Sequence, residues 1–83
     1  MKLYTVIYTK NVKQEDGTRR QEDFYVSLFE AETKTLACHA GFKRCPKGHF
    51  GVYAEEGDTR AKHPNTQDLI FAPAQVDVTE VVP

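Results

Sequence analysis

Polar and apolar positions alternate through residues 2–9, KLYTVIYT, a run rich in β-branched and aromatic side chains. A period of two puts successive side chains on opposite faces of an extended chain, so this run predicts a β-strand. The polar stretch NVKQEDGTRRQ follows, and its Asp16-Gly17 pair is a tight-turn dipeptide. Residues 22–29, EDFYVSLF, resume the strand pattern and predict the second arm of a hairpin. After Phe29 the period changes. EAETKTLACHAGFKRC has no alternation and an alanine-rich centre, with Thr33 placed to cap a helix N-terminus. Glu30 and Glu32 fall near the positive end of the helix dipole, Lys43 and Arg44 near the negative end. Pro46 disfavours helical geometry at Cys45, and Gly48 completes the stop. The segment predicts one helix of about three turns.

HFGVYAE reads as a third strand, with Glu56-Gly57-Asp58 as its turn. Residues 59–63 predict a short return strand that passes into a loop broken at Pro64-Asn65, with Leu69, Ile70 and Phe71 anchoring the loop to the core. VDVTEVV closes the chain as a strand, with Val76, Val78 and Val82 on one side. The expected fold class is α+β. An antiparallel sheet of four to five strands carries one helix packed on one face, in the order β-β-α-β-(β)-β. Eighty-three residues without an internal repeat or linker imply a single domain spanning 1–83.

The predicted helix has two apolar sides. At roughly 100° per residue, Leu36, Ala37, Ala40 and Gly41 share one broad side, small enough to let a helix lie close to a sheet. Ala31, Thr35, Cys38, Phe42 and Cys45 fall nearly opposite. A lone helix on a sheet needs one buried side. The second must be covered by the 59–73 segment, a partner protein, a second copy as a homodimer seam, or a metal.

Composition narrows the function classes. Hydrophobic residues make up 40% of the chain and nine are aromatic, which argues for a folded globule. A chain this short buries only about 60% of its unfolded surface, so its stability is a few kcal/mol. Eleven basic and twelve acidic residues give a formal charge of −1, which argues against strong, sequence-independent attraction to nucleic acid. No apolar run approaches the roughly 20 residues of a membrane span. The opening MKLYTVIYTK lacks the hydrophobic region and cleavage site of a signal peptide. These features predict a cytoplasmic protein with reduced cysteines.

The stretch CHAGFKRCPKGH gathers both cysteines and two of the three histidines. Cys38 and Cys45, two helical turns apart, with His49 and either His63 or His39, offer the donor types of a structural zinc site. Structural sites usually pair cysteines across two to four residues, whereas six separate these, and CPKGH has one cysteine where a zinc-ribbon knuckle has two. Burial as small hydrophobes is the preferred reading of the cysteines, and no cofactor is expected. No glycine-rich phosphate loop, GxSxG or HExxH occurs. Cys38 and His39 diverge by roughly 100° on a helix and cannot form a nucleophile–base pair. The acidic pairs Glu15-Asp16, Glu22-Asp23 and Glu55-Glu56 flank turns, where carboxylates are ordinarily solvated. No catalytic residue is assigned and the chain is not expected to be an enzyme.

Two surfaces remain as binding candidates. Tyr4 and Tyr8 share one face of the first strand, while Tyr25 and Tyr53 lie out of phase with their apolar neighbours. Together they predict an aromatic patch on the open sheet face, suited to a protein partner or to stacking single-stranded bases. Lys43, Arg44, Lys47 and His49 form a basic patch at the helix end, beside Phe42, with Arg19-Arg20 in the first hairpin as another.

The order of elements resembles that of small accessory proteins of phages and other mobile elements, including the anti-CRISPR proteins. The resemblance rests on size, the opening strand MKLYTVIYTK, the early hairpin and a single helix beginning near EAETKTLA. It implies a non-enzymatic protein-binding module, an inhibitor or adaptor that covers a surface of a larger host protein by stoichiometric binding. The alternative is a small nucleic-acid-binding module, with or without a structural zinc, although nucleic acid is the less expected partner.

Overall fold

A computed structural model of the protein describes residues 1–48 and 50–76, with the backbone alone for 70–73. Two long strands dominate it, β1 (Lys2–Lys13) and β2 (Arg19–Ala31), joined as the expected hairpin. The turn is built by Asp16, whose carboxylate accepts from the Thr18 N–H at 3.0 Å and the Thr18 hydroxyl at 2.6 Å. Gly17 sits at φ +88°, a left-handed conformation that glycine adopts without steric cost. The helix α1 (Lys34–Lys43) follows, then β3 (Gly51–Glu56), a single 3-10 turn at Arg60–Lys62, and β4 (Gln67–Gln75).

Among the described residues four strands form one sheet in the order β3-β1-β2-β4. The α+β class and the helix packed on a sheet hold. Three details differ from expectation. The sheet is mixed, because β4 runs parallel to β2. The predicted return strand at 59–63 is the 3-10 turn instead, since Asp58 folds back on it. The Asp58 carboxylate accepts from the Arg60 N–H at 3.2 Å and holds the Arg60 guanidinium at two positions, each 2.9 Å. The predicted loop at 64–73 is largely strand. Its apolar run DLIFAPA gave no alternation to read, and Pro73 is tolerated because among the described residues β4 is an edge strand. Beyond Val76, the predicted terminal strand lies outside the described residues.

Thr33 caps α1 as expected, its hydroxyl accepting from the Leu36 N–H at 3.2 Å. Thr33→Ala removes that acceptor and should cost about 1 kcal/mol, read as a lowered thermal midpoint. Ala37, Ala40 and Gly41 face the sheet. They meet Tyr4, Val6 and Tyr8 of β1, with Phe29 and Ala31 of β2 and Val76 completing this core. Close approach is enforced at Gly41, where a Cβ would lie 2.5 Å from Val6 Cγ1. The buried Tyr8 hydroxyl donates to the Gly41 carbonyl at 2.9 Å and accepts from the Ser27 hydroxyl at 3.3 Å. Desolvation raises the Tyr8 pKa above its usual value, so the ring stays neutral.

The other sheet face is covered too. Ile7, Val26 and Leu28 are at most 2% exposed there, with Thr5 and Thr9 beside them. The segment after β3 lies across this face. Thr5 donates its hydroxyl proton to the Gly57 carbonyl at 2.7 Å and accepts from the Thr59 N–H at 2.9 Å. Each aliphatic side chain buried this way contributes about 1.5–3 kcal/mol, so covering both faces matters in so short a chain.

Candidate functional site

Two features could carry function, one on each side of the sheet. On the face away from the helix, His63 bridges two carboxylates. Its Nδ1 lies 2.7 Å from an Asp23 oxygen and its Nε2 2.8 Å from a Glu55 oxygen. Three local devices bring them together. A bulge in β2 leaves Phe24 unpaired, so Asp23 rather than Phe24 stands opposite Thr9 and reaches this face. The 3-10 turn ends by donating the His63 N–H to the Arg60 carbonyl at 3.0 Å, while the Thr66 hydroxyl donates to the His63 carbonyl at 2.6 Å. Glu55 accepts a further bond from the Thr59 hydroxyl at 2.7 Å.

Desolvation by itself lowers the His63 pKa, but the hydrogen bonds and charges of Glu55 and Asp23 outweigh it and the net shift is upward. The His63 hydrogen bond, followed by that from Thr59, holds the Glu55 carboxyl below its usual range. When the ring is protonated both nitrogens donate, one to each carboxylate, and the imidazolium then has no lone pair for a proton or a metal. It works as an ionic clamp that ties the 57–66 segment to β2 and β3. Tyr53 lies at the clamp's edge, its ring centroid 6.4 Å from the imidazole. Burial first, then the charges of Asp23 and Glu55, raises the Tyr53 pKa.

On the helix side, an apolar groove runs between α1 and β3. Two adjoining hollows of about 350 and 360 Å³ share Cys38, His39 and Val52. Phe42 and Phe50 wall one end and Lys34 with Ala54 the other. Phe50 is fixed by edge-on contacts with Phe24 and Tyr25, at centroid distances of 6.1 and 5.6 Å. The Lys10 ammonium caps its ring at 4.7 Å. Phe42 is 66% exposed, the largest exposure of any big hydrophobic among the described residues. Among the described residues nothing else covers it.

The predicted site residues are scattered by this arrangement. Tyr4 and Tyr8 are buried under the helix, 4% and 0% exposed, and form no open aromatic face. The alternation of β1 was legible, but both sheet faces are covered, so alternation alone could not say which face meets α1. Tyr25 is half-buried against the helix-side core, and only Tyr53 reaches the opposite surface. Lys43 and Lys47 are exposed beside Phe42, whereas the Arg44 guanidinium turns back to donate to the Ala40 carbonyl at 3.1 Å and stacks over Phe29.

The zinc donors are separated as well. Cys38 lies on the helix side, its Sγ 3.6 Å from the Val52 carbonyl, while His63 is across the sheet in the clamp. His49 lies outside the described residues. Among the described residues no group of three or more His, Cys, Asp or Glu side chains is arranged to hold a metal ion. Burial raises the pKa of both Cys38 and Cys45, which leaves them as thiols rather than reactive thiolates at neutral pH. No helix of the described residues is long and apolar enough to cross a membrane.

Comparison of the chain with protein-family models, curated proteins and solved structures finds no match. The clamp escaped sequence reasoning because His63 lies 40 residues from Asp23 and its partners belong to acidic pairs that flank turns. The signal for the groove was present, in the Cys38–Phe42 side that one sheet face could not hide.

Proposed function

We propose that the chain is a non-enzymatic protein-binding module whose contact surface is the α1–β3 groove and the Phe42 side chain that projects beside it. It would act by stoichiometric binding, as an inhibitor or adaptor does. The observation that carries this reading is Phe42 itself. A phenylalanine two-thirds exposed on a regular helix and continuous with an apolar groove extends that groove into a patch that a partner can cover. Aromatic side chains seated in partner pockets typically dominate binding energy. The clamp on the opposite face supports the same reading from the other direction. Its one imidazole is fully occupied by carboxylates, which suits a structural brace and not a general base.

The test is affinity capture with the immobilised full chain and its Phe42→Asp variant. Phe42→Asp should lower stability by no more than about 1 kcal/mol, read from the thermal midpoint, because the position is exposed and the cost is that of an anion in the last helical turn. It should lose whatever protein the wild type retains, while Glu15→Ala, exposed in the distant hairpin turn, keeps it. Equal capture by Phe42→Asp and wild type would remove this surface from consideration.

A further inference from the structure

The groove ends at a sheet edge, and the β1–β3 ladder fixes what that edge offers. In an antiparallel pair, opposed residues alternate between those exchanging both backbone hydrogen bonds and those exchanging none. The Gly57 N–H donates to the Leu3 carbonyl at 2.7 Å, which sets the bonded positions of β3 at Glu55, Tyr53 and Gly51. Val52, Ala54 and Glu56 therefore turn their N–H and C=O groups away from β1. Among the described residues no strand pairs on that side. Among the described residues the Val52 carbonyl meets the Cys38 thiol, a weak donor at 3.6 Å.

By alternation, these same three residues direct their side chains toward α1, so this edge, unpaired among the described residues, and the apolar groove form one continuous surface. Its charge is one-sided. Lys34 and Lys43 stand exposed along the helix, Lys47 follows, and Lys10 lies over Phe50. Glu56, the acidic residue at the far end, is paired with Lys2 at 3.6 Å. The molecule as a whole carries −1, so this positive rim is local. A second copy paired edge to edge about a two-fold axis would bring these lysines against their own equivalents, which disfavours a homodimer here.

From this combination we infer that β3 accepts an extended acidic segment of a partner protein as an added strand. Its backbone pairs with Val52, Ala54 and Glu56, its apolar side chains enter the groove beside Phe42, and its carboxylates meet the lysine rim. The inference rests on the protein-binding reading above and specifies the partner's chemistry.

The test is an amide chemical-shift titration of the isotope-labelled full chain with two capped peptides of about eight residues, a strand's length. One alternates glutamate with valine and the other lysine with valine. The glutamate peptide should produce saturable shifts at the Val52, Ala54 and Glu56 amides, and the lysine peptide none. The affinity should fall as salt rises from about 50 to about 300 mM. The Lys34→Glu/Lys43→Glu variant, changed at two exposed positions, should bind the glutamate peptide about tenfold more weakly with its amide spectrum otherwise intact. Equal binding of both peptides would overturn the inference and leave the Phe42 surface standing. Absence of shifts at the β3 amides would overturn it also. So would shifts that grow with protein concentration alone, which mark a second copy on the edge.

Discussion

Replacing Gly41 with alanine should lower the stability of this protein, although alanine is the better helix former. On propensity alone the change gains about 1 kcal/mol. The added methyl, however, is directed at Val6 Cγ1 from 2.5 Å, with the Tyr8 hydroxyl at 3.3 Å. Val6 is fully buried and β-branched, so its side chain has little freedom to retreat. Overpacking of this kind costs about 1–3 kcal/mol, and the helix must shift, stretching the Tyr8–Gly41 hydrogen bond. The net expectation for Gly41→Ala is a loss of about 1–2 kcal/mol. Gly41→Leu should unfold a domain whose total stability is a few kcal/mol. Thermal unfolding followed by circular dichroism measures both. Pairing Gly41→Ala with Val6→Ala should restore part of the loss, since the second change clears the space that the first requires. A Gly41→Ala variant more stable than wild type would mean that α1 does not lie this close to β1.

The second large effect concerns pH. His63 has a folded pKa above its unfolded value, so its stabilisation is complete below the unfolded pKa and disappears as pH rises through the folded one. Glu55 has a lowered pKa and works in the opposite sense, its contribution being lost as pH falls through its folded value. Together they define a stability maximum in the mildly acidic range, with the alkaline limb assigned to His63. Denaturant midpoints measured between about pH 5 and pH 9 should fall on the alkaline side and flatten in His63→Gln. His63→Ala, which leaves the Asp23 and Glu55 carboxylates without their shared cation, should cost about 1–2 kcal/mol below the folded His63 pKa, the screening of two carboxylates about one-third exposed holding the loss down. A wild-type profile that stays flat through this range would rule out a charged clamp.

The contrast between these two positions explains what could be read from the sequence and what could not. The hairpin and helix announce themselves through local chemistry. Asp16-Gly17 makes its turn within four residues, and Thr33 caps a helix that Pro46 ends. Gly41 was legible as a small residue on the sheet-facing side of α1. The tyrosines were misplaced because the alternation of β1 is symmetrical between faces. Ile7 and Thr5 on one face are as buried as Val6 and Tyr8 on the other. β4 was missed because its apolar run carries no period of two, and its pairing with β2 joins residues some 40 positions apart. His63 shares that difficulty. Its two partners come from β2 and β3, and Asp23 reaches the ring only because of a one-residue bulge that no local pattern marks.

The parallel placement of β4 also bears on how the chain comes into being. β1, β2, α1 and β3 are all complete by Glu56, whereas the strand that shields the outer side of β2 begins only at Gln67. During synthesis, then, a thirteen-residue strand stands with one flank open while the residues from Gln67 onward are still inside the ribosome. Polypeptides stalled before Gln67 should be the species that self-associate, through β2 rather than through β3.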